Sequence, residues 1–250
     1  MKNIKQKLLS VLFAGVALTS IQVSAQETIK FATEPTYPPF EFVDGNNQMQ
    51  GFDIDIARAL CTEIKAQCSF HNQGFDSIIP TLKMGKYDAA ISAMDITQAR
   101  LKQVNFSTPY YDNSAAFVVT KDSTVDSIEQ LKGLHVGVQN GTTHQQYIIN
   151  EMPDIHTTPY SSYQDAFLDL KNNRIQAVFG DTAVINEFIS KDDTVKSMGQ
   201  SITNVKYFGH GLGIAVAKNK TELLDQLNKA LLAIKANGTY QKIYTKYFEK

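Results

Sequence analysis

Three side chains in this 250-residue sequence have the types needed to hold a zwitterion: Arg100, Asp95 and Asp181. A guanidinium offers two parallel N–H donors to a carboxylate, and a carboxylate accepts from an ammonium. Asn140-Gly-Thr-Thr143 precedes a helix expected from about His144. Free backbone N–H groups and the helix dipole favour an anion at such a start. Tyr37 and Phe75 offer two flat faces, and a planar cation stacks on each with roughly 0.5–2 kcal/mol. Glu34 can accept the N–H groups of that cation at the far end. The chemistry fits capture of a free amino acid with a cationic side chain. Each residue also has a plainer reading. Arg100 can be a surface helix charge, Asp181 an N-cap for a helix from Thr182, Tyr37 and Phe75 core aromatics, and Gly141-Thr142 a turn. Their joint placement at the ends of strands favours a site.

The elements that position them follow from periodicity. Ile29–Thr33 alternates as a strand, and Pro35-Thr-Tyr-Pro-Pro-Phe40 is a stiff loop that presents aromatics. A helix starts at Gly51 and runs through Leu60. Phe75 to Ser92 reads as helix, Gly85 stop, then strand Ala89–Ile91, and Tyr163 to Gly180 repeats that pattern at an offset of 88 residues. Gly133–Val138 and Gly211–Val216 read as further strands. The Leu223, Leu224, Leu227, Leu231, Ile234 stripe has helical spacing and stops at Gly238, and a short helix Tyr240–Phe248 closes the chain. These units predict an α/β fold of two similar lobes joined by two hinge strands, near Tyr111–Ser114 and Thr203–Tyr207. Ligands of open α/β sheets bind beyond the carboxyl ends of the strands. The residues there are Glu34 and Tyr37, then Ser92, Ala93, Met94 and Asp95, then Gln139 to Thr143, then Asp181.

Composition narrows the class. A net charge of −1 without a basic stripe argues against nucleic-acid partners. Lys2, Lys5 and Lys7 precede the apolar Leu8–Leu18, too short to span a bilayer, and Val23-Ser24-Ala25 suits cleavage before Gln26. Residues 1–25 therefore read as a secretory signal peptide, and removing its three lysines and no acids moves the net charge from −1 to −4. Export places Cys61 and Cys68 in an oxidising compartment. Their separation is not that of a CxxC pair, and the five histidines show no paired spacing. A structural disulfide is expected, worth on the order of 2–3 kcal/mol, with no metal and no cofactor.

Over its whole mature length the chain resembles the periplasmic amino-acid-binding proteins of ATP-driven uptake systems, the type II solute-binding proteins. Pro38-Pro-Phe-Glu-Phe42, Gly51-Phe-Asp-Ile-Asp55, Phe75-Asp-Ser-Ile-Ile-Pro80, Phe106-Ser-Thr-Pro-Tyr-Tyr111 and Val136-Gly-Val-Gln-Asn-Gly-Thr-Thr143 carry the resemblance. Phe31-Ala-Thr-Glu34, Met94-Asp95 and Phe179-Gly-Asp-Thr-Ala183 point to arginine-binding members. The resemblance implies a discontinuous first lobe, 26–112 with 206–250, and a second lobe, 113–205. It implies Arg100 and the Thr143 backbone on the α-carboxylate, Asp181, the Ala93 carbonyl and Asp95 on the α-ammonium, Tyr37 and Phe75 around the side chain, and Glu34 at its distal charge. It also implies a periplasmic monomer that binds L-arginine without turnover and delivers it to an inner-membrane ABC permease. Relatives that take lysine, ornithine or histidine carry a hydroxyl residue in place of Asp95 and serine in place of Ala93. The extra carboxylate favours a cation and leaves open which one. The rival readings are a broader cationic-amino-acid binder, a periplasmic enzyme of the same fold using Glu34 as its acid, and a free sensor.

Overall fold

The computed structural model describes residues 27–249, so the expected signal peptide lies outside the described residues. The chain begins with β1 (Thr28–Thr33), β2 (Thr36–Tyr37), β3 (Glu41–Val43), β4 (Met49–Gln50), α1 (Phe52–Ile64) and β5 (Gln67–Asn72). It continues with α2 (Ile78–Lys83), β6 (Ala89–Ala90), α3 (Gln98–Leu101) and β7 (Val104–Phe106). Next come β8 (Ala115–Thr120), β9 (His135–Gln139), α4 (Thr143–Glu151), β10 (His156–Tyr160), α5 (Tyr163–Lys171), β11 (Ala177–Asp181), α6 (Thr182–Lys191) and β12 (Val195–Ile202). The chain closes with β13 (Ala215–Ala217), α7 (Thr221–Ala236) and α8 (Thr239–Phe248).

Two five-stranded sheets result, in the orders β5-β1-β6-β13-β7 and β10-β9-β11-β8-β12. Each has a parallel core, β5-β1-β6 in one and β10-β9-β11 in the other, extended by one strand antiparallel to it and an outer strand that pairs antiparallel with that one. The sheets are the same structure built twice, and the 88-residue offset is its trace: Ala89 opens β6 and Ala177 opens β11. In each sheet the fourth strand enters from beyond the parallel core. β8 follows the first crossing between lobes, and β13 follows the return. Leu212 makes isolated bridges to both Asp95 and Tyr111, so the outgoing and returning chains touch beside the cleft.

Local chemistry sets the elements that matter for the site. In α1, Phe52, Ile54, Ile56, Ala57, Leu60 and Cys61 are buried, and the chain leaves the helix at Lys65 with φ of 60°. Cys61 and Cys68 are disulfide-bonded with Cα atoms 5.9 Å apart, fastening this helix end to β5. Gly51 has φ of 125°, and a Cβ there would lie 2.1 Å from the Phe40 carbonyl oxygen. Only glycine lets the Pro38–Phe40 loop rest on the start of α1. That contact sets Tyr37 and Glu41 on the inner side of the first lobe. Among the described residues, no helix is long and apolar enough to cross a membrane, and no group of His, Cys, Asp and Glu is arranged to hold a metal ion.

Candidate functional site

The carboxyl ends of β1, β6, β9 and β11 converge between the sheets. The lobes close on one another there and leave a cavity of only about 10 Å³. The first lobe contributes Glu34, Tyr37, Glu41, Phe75, Ala93 and Asp95, and the second contributes Gln139, Thr142, Thr143, His144 and Asp181. Three side-chain hydrogen bonds join residues that line the cavity from opposite lobes. Tyr37 OH donates to Asp181 Oδ2 at 2.8 Å, Gln139 Nε2 to Glu34 Oε2 at 2.8 Å, and Thr143 Oγ1 to Asp95 Oδ2 at 2.5 Å. Arg100 Nη2 adds a fourth link, to the Gly141 carbonyl at 3.1 Å. Gly141 has φ of +75°, and a Cβ there would lie 3.0 Å from Asp76 Cα, so the close approach of the two loops requires glycine.

Several expected residues take more specific positions than their types alone suggest. Asp181 occupies the N-cap position of α6 but makes no capping bond. Its carboxylate instead takes Tyr37 OH and Asn113 Nδ2. Tyr37 is buried, with its ring 5.1 Å from Tyr163 of the opposite lobe and its hydroxyl on Asp181. Arg100 is buried, not a surface charge. Its Nη1 donates to the Asp95 carbonyl at 2.9 Å, and its guanidinium lies 5.3 Å over the Phe75 ring. Arg100 braces the cavity from outside its lining. Ser92 also sits behind the lining: Oγ donates to Glu41 Oε1 at 2.9 Å and accepts the Glu34 N–H at 3.0 Å. The Met94 side chain packs in the core with Ile78, Leu82 and Phe106. Thr142 caps α4 by accepting the Gln145 N–H at 3.2 Å, which leaves the first turn of that helix facing the cleft beside Thr143.

Glu41, His144 and Asn113 belong to the site or its frame without having been expected there. Glu41 is fully buried, as is Asp53 behind it. His144 Nε2 lies 3.1 Å from Asp181 Oδ1 but is not aligned for a hydrogen bond.

The electrostatics are dominated by buried acids. Glu34, Glu41, Asp53, Asp95 and Asp181 are all buried, against the buried cation Arg100 and the imidazole of His144. Burial pushes Asp95 up to about 6, the Asp181 charge adds to this, and His144, Arg100 and the Thr143 hydroxyl oppose it. Burial pushes Asp53 up to about 7 against donors from the Ala93 N–H and Tyr110 OH. Burial and the neighbouring Asp53 raise Glu41 well above the usual carboxylate range, and burial raises Glu34. Glu41 Oε2, Asp53 Oδ1 and both His144 ring nitrogens have no hydrogen-bond partner. Buried polar atoms are ordinarily paired. Such a cluster of buried acids, which ionise more readily once a positive charge enters, suits a cation with several N–H donors. A larger hollow of about 390 Å³ lies behind the first crossing, between Tyr111, α6 and α8, but Asp112 and Asn186 on its wall are exposed. It lacks the buried charge of the cleft.

The chain is similar to known proteins along most of its length. The sequence pattern of the bacterial extracellular solute-binding proteins, family 3, matches residues 29–250. The ABC transporter arginine-binding protein 1 of Escherichia coli (strain K12) is 52% identical over 238 residues, covering 95% of this chain and 98% of that one. The arginine-binding periplasmic protein of Mannheimia haemolytica is 46% identical over 243 residues, covering 97% and 98%. A solved structure of a Salmonella typhimurium periplasmic binding protein, described for high arginine specificity, superposes with a TM-score of 0.86 at 45% identity, covering 89% of this chain and 99% of that one.

Proposed function

The chain belongs to the bacterial extracellular solute-binding proteins, family 3, and we propose that within that family it is the periplasmic component of an ABC amino-acid transporter that binds free L-arginine between its lobes and delivers it to the membrane permease. The observation that carries the choice of arginine is the set of buried carboxylates around one interlobe cavity, in excess of the buried cations. An arginine side chain brings a delocalised charge and five N–H donors to that surplus.

In this reading the α-carboxylate docks at the start of α4, on the Thr143 N–H, with Arg100 beside it. The α-ammonium takes Asp181, Asp95 and the Ala93 carbonyl. The guanidinium passes between Tyr37 and Phe75 and ends on Glu34, with Glu41 behind. The ligand exchanges its own donors for the Gln139–Glu34 and Thr143–Asp95 bonds. It thereby bridges the lobes, 26–112 with 206–250 and 113–205, and favours their closure about the two crossings. The chain acts as a monomer and performs no turnover, and incubated arginine is recovered unchanged.

A thermal-shift panel of the twenty amino acids with ornithine and citrulline tests the ligand assignment. Arginine gives the largest stabilisation, and neutral amino acids give little. A panel led by a neutral amino acid would overturn it.

A further inference from the structure

We propose that Asn113 is a positioning residue that couples lobe closure to the charge of the ligand, by giving one amide hydrogen to a carboxylate of each lobe. The proposal rests on the cationic-ligand reading above.

Asn113 lies on the first crossing, two residues after Tyr111 bridges Leu212. Its Nδ2 is 2.8 Å from Asp95 Oδ1 and 2.6 Å from Asp181 Oδ1. Asp95 follows β6 of the first sheet, and Asp181 ends β11 of the second. An amide nitrogen carries two hydrogens, so both bonds are made at once. The Ser114 N–H fixes the orientation of the amide. It donates to Asn113 Oδ1 at 2.9 Å, and a backbone N–H can only donate, so the oxygen faces Ser114 and the nitrogen faces the acids.

The two carboxylates are treated alike. Each gives one oxygen to Asn113 and the other to a hydroxyl of the opposite lobe, Thr143 Oγ1 on Asp95 and Tyr37 OH on Asp181. The charged groups facing this cluster are Arg100, which bonds the Asp95 carbonyl, and His144, which lies beside Asp181. Asp112 is exposed on the outer side of the crossing. Neutral donors hold like charges together without cancelling them. A lysine at 113 would place the acids equally well but would neutralise the seat that a ligand ammonium needs. Ser114 bonds Thr182 and Ala115 pairs with Asp181, so Asn113 stays beside Asp181, and its nitrogen reaches Asp95 as well when the lobes approach each other.

Asn113→Leu keeps the volume and removes both donors, and Asn113→Ser leaves one hydroxyl too short to serve both acids. Mature wild type and both variants are titrated with arginine by calorimetry at pH 6.5 in buffers of different ionisation enthalpy. Affinity is expected to fall about 10- to 100-fold in both folded variants. Proton release on binding is expected to rise above wild type, because acids that lose their shared donor retain a proton until the cation displaces it. Affinity within about twofold of wild type would overturn the proposal. So would weaker binding with unchanged proton release, which marks a merely structural role. A wild-type chain that binds no cationic amino acid removes the reading beneath the proposal and overturns both.

Discussion

Asp95→Asn separates what the site contributes to binding from what it costs the fold. The Asp95 carboxyl stands at about 6 against an ordinary 3.8. At about 1.4 kcal/mol per pKa unit, its ionised form destabilises the free protein by roughly 3 kcal/mol. The sign follows from proton counting. Below about pH 4 the carboxyl is protonated in both folded and unfolded chains, and the cost is absent. Between there and about pH 6 the folded chain binds more protons, so stability falls as pH rises, and above about pH 6 the full cost applies. Asparagine carries no charge and removes the cost. It also accepts less. The carboxylate takes Thr143 Oγ1 and Asn113 Nδ2 together, and an amide oxygen leaves one of those donors unpaired, a loss of about 1–3 kcal/mol. The difference leaves the free variant between equal to wild type and about 2 kcal/mol more stable at pH 7, or up to about 4–8 °C in Tm. Arginine affinity moves the other way. A unit charge pair at contact distance is worth up to about 4 kcal/mol at an effective dielectric of 20, and screening reduces this to a loss on the order of 100-fold. Thermal unfolding of both proteins from pH 4 to pH 8, with calorimetric titration at pH 7.5, checks both halves. The Tm of the variant gains on that of wild type as pH rises from 4 to 7. A difference that stays constant with pH, or a variant that binds arginine normally, would refute the reasoning.

Four other outcomes follow from the same contacts. Arg100→Ala abolishes binding of every amino acid, because Arg100 both braces Asp95 and stands beside the proposed carboxylate seat; calorimetry with arginine, lysine and histidine checks it. Glu34→Gln mainly narrows the preference for arginine over citrulline, by about 10-fold, read as the ratio of the two dissociation constants. Arginine affinity rises from pH 5 to pH 7, because the cation binds the ionised form of Asp95 and so releases protons; titrations across that range show the slope. Reducing Cys61–Cys68 lowers stability by about 2–3 kcal/mol without changing affinity, since the bridge joins α1 to β5 away from the cleft; denaturant unfolding with and without reductant separates the two effects.

The repeat and the strand ends were legible because they depend on local pattern. Phe75 and Tyr163 begin matching helix–strand units, and apolar periodicity marks such units whatever they pack against. β10 gave little signal. His156-Thr-Thr-Pro-Tyr160 is polar and contains proline, and it survives as an edge strand by pairing with β9 alone. The Gly211–Val216 stretch reads as one strand, but only Ala215–Ala217 forms a ladder. Gly211 turns with φ of +74°, and Leu212 makes isolated bridges.

Within the site, Asp95 and Asp181 could be placed because one follows β6 and the other ends β11. Glu41 could not, since an acid in Phe40-Glu-Phe42 reads as the outward residue of an alternating strand. Its burial depends on Gly51 holding the loop inward, a contact between residues ten apart in the chain. Met94 shows the opposite error: its position beside Asp95 is correct, but its side chain points to the core. Asn113 was invisible because its role exists only where a crossing strand meets acids from two lobes.

Citrulline is nearly isosteric with arginine and lacks the charge, so the pair isolates the central claim that buried acids in the cleft select a cation. Calorimetric titration of the mature chain at pH 7.5 should give one arginine per chain and an affinity at least about 100-fold above that for citrulline, as expected when a charged hydrogen-bonding partner is lost from a buried site. Equal affinities for the two, or no binding of arginine, would contradict it.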